Sequence, residues 1–222
     1  FNYFLLGKGN IDSIAEANVF VTGANEWKSF SQWPPANKED KAMYLQDDGK
    51  LDWNKPATPL STSGERQGVR FSEYISDPAH PVPYEDGVQF NRSRTYMDAD
   101  QRFAERRPDV LTFKTDTLTE DVTLTGNVIA DILTSISTTD ADFVVKIIDV
   151  FPEYAGYNDV DIYAETDPVN PYPMGGYEML VRAEIFRGRY RNSYENPTAF
   201  TQNKIEEVIC ELPSTAVFFK KG

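Results

Sequence analysis

Few side chains in this sequence are of a type and spacing that could do chemistry. There is one histidine, His80, and one cysteine, Cys210, in 222 residues. A hydrolase serine works from a tight strand–turn–helix elbow, written Gly-x-Ser-x-Gly, with its histidine base later in the chain. That pattern is absent, because Ser63-Gly64 lacks the first glycine and any following helical run. His80 stands among prolines in Asp77-Pro-Ala-His-Pro-Val-Pro83, which favours a structural or solvent-facing ring over a base. Cys210 lies in Ile205-Glu-Glu-Val-Ile-Cys-Glu-Leu212, a strand pattern that makes it a buried, inert thiol. A transition-metal site needs clustered His and Cys, which one of each cannot supply. Asp98-Ala-Asp100, Asp140-Ala-Asp142 and Asp159-Val-Asp161 offer paired carboxylates of the kind calcium accepts, but none has a recognised loop spacing. Solvated turns are the simpler reading, so neither a metal nor another cofactor is expected. Four arginines, Arg182, Arg187, Arg189 and Arg191, could form an anion patch; in a chain this acidic, ion pairing on a solvated strand face is expected instead.

The elements that would position these residues are strands. Thirty-five acidic residues against twenty-two basic ones give a net charge of −13, a surface that repels phosphate backbones and anionic lipid. No apolar run approaches the ~20 residues of a membrane span. Helical periodicity is scarce, and Gly and Pro punctuate the apolar runs. The β-rich stretch runs from Asp100 to Pro152: Val122 and Leu124 alternate with threonines, Val128, Ala130 and Ile132 follow, and Phe143–Val150 is apolar except at Lys146 and Asp149. Alternation predicts strands with one face buried, and the last run suits a central strand covered on both sides. Gly126-Asn127 and Thr138–Ala141 read as turns between them.

Ahead of this stretch, Phe1–Leu6 reads as the last turns of a helix, Ala17–Trp27 as a strand ending in a turn, and Lys41–Leu45 and Val69–Ile75 as short strands. Asp47-Asp-Gly49 has hairpin chemistry. Trp27 and Trp33 are expected to anchor the core rather than to form a sugar-stacking platform. Tyr84–Tyr96 reads as a loop whose Val88 and Phe90 either pack beneath it or face outward. Glu153–Asn170 is an acidic loop or ragged strand pair. The strands expected inward are Phe143, Val145 and Ile147 with Val122, Leu124, Val128 and Ile132.

Several of these segments occur together, in this order, in one family. Asp100-Gln-Arg102, Arg106-Arg-Pro-Asp-Val-Leu111, Leu118-Thr-Glu-Asp-Val122, Asp140-Ala-Asp-Phe-Val-Val-Lys146 and Asp149-Val-Phe-Pro152 resemble the C-terminal β-domain of the cocaine esterase and X-prolyl dipeptidyl-peptidase hydrolases. Gly-Ala-Asn-Glu-Trp27 and Trp33-Pro-Pro35 are similar to segments of the same family. So is Tyr74–Pro83, where His80 stands in place of the usual aspartate. Gly175-Gly-Tyr177 followed by Phe186-Arg-Gly-Arg-Tyr-Arg191 resembles the α-amino acid ester hydrolase and glutaryl cephalosporin acylase branch.

The resemblance implies an all-β jelly-roll sandwich of the galactose-binding-like kind, truncated at both ends relative to the family. Residues 1–16 would be the tail of a preceding hydrolase-domain helix with its linker, and residues 17–222 the sandwich without its last strands. It implies no catalytic residue here. An α/β-hydrolase domain outside the chain would carry Ser, Asp and His and cleave esters or amides of small acyl or peptide-like substrates. Val88, Gln89 and Phe90, just after the proline turn, would line its substrate cleft. Relatives of the branch are often exported, and a role in a homo-oligomer is compatible with all of this. The rival reading is a carbohydrate-binding jelly-roll module, which surface aromatics lined up on one face would support. Nucleic acid and membrane are not expected partners.

Overall fold

The computed structural model describes residues 2–12, 14–46, 49–56, 71–87, 90–91, 93–153 and 174–222. Among the described residues, α-helix is confined to α1 (Asn2–Leu6) and α2 (Arg102–Glu105). The remaining elements are β1 (Ala17–Val21), β2 (Glu26–Phe30), β3 (Tyr44–Leu45), β4 (Leu51–Asp52), β5 (Val122–Thr134), β6 (Asp142–Val150), β7 (Glu178–Arg187) and β8 (Glu206–Phe219), with a 3-10 turn at Gly188–Tyr190. The strands pair antiparallel as β1–β2, β3–β4, β5–β8 and β6–β7. The chain is an all-β sandwich, in which β6 and β7 lie against β8.

Period-two patterning decides the layers. On β8, Val208, Cys210 and Leu212 are buried while Glu207, Ile209 and Glu211 face out. Their partners across the ladder are Ile132, Ala130 and Val128, so the alternating residues expected inward on β5 share the buried face. Phe143, Val145 and Ile147 of β6 pair with Phe186, Glu184 and Arg182 of β7 on the side that meets β8. Arg182 accordingly reaches the Ser214 carbonyl on β8 rather than solvent.

One expected turn does not occur, while Thr138–Ala141 lies in the connection between β5 and β6 as expected. Gly126-Asn127 lies inside β5, which runs through thirteen residues. The register shifts there because Asn127 opposes the two residues Pro213 and Ser214, so the interruption is a β-bulge on β8. Gly126 takes φ +98°, a left-handed backbone that only glycine adopts freely, and Pro213 sits where the ladder needs no donor. The Trp33-Pro34-Pro35 segment seats on this bulge. The Trp33 indole N–H donates to Ser214 Oγ at 2.8 Å, and a Cβ on Gly126 would meet the Pro34 ring at 3.0 Å.

At the front, Ala17–Trp27 is two strands, not one; the turn falls at residues 22–25 and Trp27 belongs to β2. The turn is welded to β8: the Phe218 N–H donates to the Thr22 carbonyl at 2.8 Å, and the Thr22 N–H to that of Ala216 at 3.3 Å. A Cβ at Gly23 would stand 2.1 Å from the Phe218 carbonyl oxygen.

Other differences are local. Residues 71–75 are not a strand: Phe71 and Ile75 are exposed and no described strand pairs with them, while 69–70 lie outside the described residues. Of Lys41–Leu45 only the last two residues pair, opposite β4; Asp47 and Asp48 of the expected turn lie outside the described residues. The acidic segment after Glu153 lies outside the described residues.

β6 is only partly covered. Its outer face is closed at Lys146 by Gln101, but Val144 is 57% exposed and its partner Ile185 65%. A continuous apolar run therefore marks here a strand with one open patch, not one buried on both sides.

Candidate functional site

The residues with the most perturbed chemistry gather where the chain around α2 crosses the outer face of β6–β7. Gln101 is fully buried, and its backbone N–H and both ends of its side-chain amide are hydrogen-bonded. Its N–H donates to the Glu178 carbonyl at 3.0 Å, its Nε2 to the Ala99 carbonyl at 2.7 Å, and its Oε1 accepts from Lys146 Nζ at 2.7 Å. The Lys146 ammonium also lies over the Phe103 ring, 5.5 Å from its centroid. Beside them Lys114 Nζ bridges two carboxylates, Glu105 of α2 at 2.6 Å and Glu178 of β7 at 3.0 Å. Asp100 holds Arg102 and caps the backbone N–H of residue 102 at 3.1 Å. The Tyr177 hydroxyl donates to the Asp98 carbonyl and closes the cluster.

Two carboxylates share one ammonium here, and Glu178 is 3% exposed. Burial, together with the hydrogen bond that its protonated carboxyl donates to Glu105, pushes Glu178 up from 4.5 to about 7. Glu105 is pulled down by its hydrogen bonds to Glu178 and Lys114. Burial lowers Lys146 and raises Asp149. Glu178 can thus hold a proton near neutrality. Among the described residues of this cluster no nucleophile stands beside it: they are two lysines already paired, carboxylates and an amide. Its geometry ties α2, the approach to β5, and β6 and β7 together.

The motif residues singled out in the sequence find one another. Arg187 holds Asp142 through two bonds, at 2.8 and 3.0 Å, and Arg189 holds Asp140, so both carboxylates of the Asp140-Ala-Asp142 pair considered for calcium are occupied by arginine. Asp100 is likewise paired, and Asp159 and Asp161 lie outside the described residues. Among the described residues, no group of His, Cys, Asp and Glu is arranged to hold a metal ion. The ion-pairing expectation for the arginines holds at these positions, but Arg191 is not on a solvated face. Its side chain is buried, stacks 4.0 Å from the Phe200 ring centre, and binds Glu206 and the carbonyls of Gly188, Thr198 and Ala199. Gly188 is required beside it, since a Cβ there would lie 2.5 Å from the Phe200 ring.

His80 is an exposed ring 2.8 Å from Asp77, and among the described residues no serine or cysteine hydrogen-bonds to it. Cys210 is buried with its thiol pushed up by burial, as an inert thiol should be. Trp33 anchors as expected, but Trp27 does not: it is 73% exposed, packed edge-to-face on Phe20 at 5.6 Å. Val88 and Gln89 lie outside the described residues. Phe90 is 98% exposed, so it does not pack beneath its loop. The loop is pinned by Tyr84, whose hydroxyl donates to the Asn91 carbonyl at 3.1 Å and accepts from the Ser93 N–H at 3.0 Å, with its ring against Tyr96.

Sequence reasoning missed the Lys114–Glu178–Glu105 and Lys146–Gln101 contacts. The available signal was a charge inside an apolar strand, Lys146, which burial requires to be paired.

Among the described residues the sequence motifs serve the architecture of a β-sandwich domain, and no nucleophile–base pair is assembled. The chain belongs to the family described as the X-Pro dipeptidyl-peptidase C-terminal non-catalytic domain, which it matches over residues 10–222. It is 31% identical to a cocaine esterase of Rhodococcus sp. (strain MB1 Bresler) over 219 residues, 97% of this chain and 34% of the esterase. The fold superposes on an aminopeptidase from a marine sediment archaeon, Thaumarchaeota archaeon, with a TM-score of 0.81 and 33% identity. It superposes on an α-amino acid ester hydrolase with a TM-score of 0.80 and 35% identity. All of this chain is covered in both, against 33% and 34% of the respective structures. The chain thus spans about a third of the length of these relatives.

Proposed function

We propose that residues 17–222 form the non-catalytic β-sandwich of a serine hydrolase that cleaves ester or amide bonds, and that residues 1–16 lead into it from an α/β-hydrolase domain. The sandwich packs on that domain and contributes Val88, Gln89 and Phe90 to the wall of its substrate cleft. The observation that carries this reading is Phe90: a large apolar side chain, 98% exposed, is presented by a loop that Tyr84 fastens at both ends. An exposed phenylalanine held on a built support suits an interface better than solvent. The Gly175-Gly-Tyr177 and Arg187-Gly-Arg-Tyr-Arg191 segments favour an acylase or amino-acid ester hydrolase as parent, with a jelly-roll connection of the galactose-binding-like kind. The test needs the full-length enzyme. Phe90→Ala should change the ratio of kcat/KM between a bulky and a small acyl substrate by the ~1–3 kcal/mol that one apolar pocket contact provides. Equal slowing of both substrates, or a lower Tm with unchanged kinetics, would assign Phe90 to packing.

A further inference from the structure

We propose that the outer face of the β1–β2 hairpin, centred on Trp27 and Phe20, is the surface through which this sandwich docks on the polypeptide that precedes it. The proposal rests on the reading of the chain as the non-catalytic partner of a hydrolase domain, and it names the contact. Trp27 and Phe20 are direct cross-strand partners, both exposed, and they pack edge-to-face with their rings inclined by 62°. The Trp27 indole N–H has no acceptor among the described residues, although a tryptophan that is to be covered needs one. The hairpin is no loose flap. Val21 is buried on its inner side, and Thr22 and Gly23 are fixed to the backbone of β8. A rigid mount with an aromatic anchor is the arrangement from which interface hot spots are made.

The other apolar surfaces are less suited. On the outer face of β5–β8 each aliphatic residue stands opposite an acid: Ile129 faces Glu211, Ile209 faces Asp131 and Leu133 faces Glu207. Such interleaving keeps a sheet face in water. Val144 and Ile185 are paired with each other, but the Asp142–Arg187 ion pair flanks them on the same face.

The occupant is argued from length, direction and chemistry. Relatives extend over about three times this chain, and the family places the domain at the C-terminal side, so the additional chain enters next to β1. The α1 segment at that entrance exposes Tyr3, Phe4, Leu5 and Leu6, so the chain presents further apolar surface just ahead of β1. A carbohydrate is disfavoured by the same face. Sugar hydroxyls need free polar side chains beside the ring, and here the flanking Asn18 Oδ1 is taken by the Ser29 hydroxyl at 2.6 Å. The inclined rings form a ridge, not a flat platform.

Oxidation of Trp27 by N-bromosuccinimide, followed by mass spectrometry, tests this without altering the protein. Trp27 should react readily in the 222-residue chain and on the order of tenfold more slowly in the full-length protein, as expected for a site reached only by local opening. Equal reactivity in both would overturn the proposal. So would retardation of the wild-type chain in gels containing soluble xylan or β-glucan, if the same polysaccharide shields Trp27. The underlying reading fails separately: its failure is a full-length sequence with no Gly-x-Ser-x-Gly ahead of Phe1, whatever the oxidation shows.

Discussion

Glu178 is the side chain on which solution conditions act most directly. Its carboxyl is raised from 4.5 to about 7 in the folded state, so the folded protein binds a proton more tightly than the unfolded one. The stability this provides is fully present below pH 4.5 and is lost as pH rises through about 7. Asp100 and Glu105, both pulled down, act in the opposite sense, and only at pH below their ordinary values. Asp149, also raised by burial, acts in the same sense as Glu178, so stability should fall between pH 5 and 8, with Glu178 contributing a loss on the order of 1–3 kcal/mol. A calorimetric pH series should show Tm falling across that window, and Glu178→Gln should flatten it while Lys114 keeps an oxygen to bind. Parallel slopes for the two proteins would transfer the effect to another group.

Among the elements, β8 carries the core. Leu212 is 1% exposed and its neighbour along the strand, Ile209, is half exposed. Leu212→Ala should lower stability by ~2–5 kcal/mol, whereas Ile209→Ala should stay within ~0.5 kcal/mol; urea midpoints with unchanged m-values would measure both. Strand identity here was readable from the alternation of Val122, Leu124, Val128 and Ile132, and of Val208, Cys210 and Leu212. What the alternation could not show is that the two runs pair with each other across some eighty residues, since pairing is a long-range choice. Gly126 was misread for a related reason. A glycine within a strand pattern marks either a turn or a bulge, and the deciding partner, Pro213, lies far along the chain. The Arg187 and Arg189 pairing was legible as a tendency of an acidic chain; the burial of Arg191 was not, because it depends on Phe200 arriving from the next loop.

At the scale of the whole molecule, the family's sequence motifs turn out to be instructions for building the sandwich. Asp140-Ala-Asp142 is held by Arg187 and Arg189, Trp33-Pro34 seats on the bulge, and Gln101 receives Lys146. None of them assembles a nucleophile with a base. The 222-residue chain should accordingly hydrolyse activated aryl esters no faster than buffer. A measurable rate abolished by His80→Ala would contradict that expectation, because without a serine–histidine pair residual catalysis belongs to an oxyanion hole and binding cleft.

The bulge where Asn127 opposes Pro213 and Ser214 also acts as a key between two distant segments. Sliding β5 by one residue along β8 would turn every side chain to the wrong face. It would also bring Pro213 into a position that demands a donor and set the left-handed Gly126 against a regular ladder. A strand pair of this length has many approximate alignments available while the chain collapses. The notch admits one of them, so the fidelity of the assembly is written into two residues that contribute almost nothing to the buried surface.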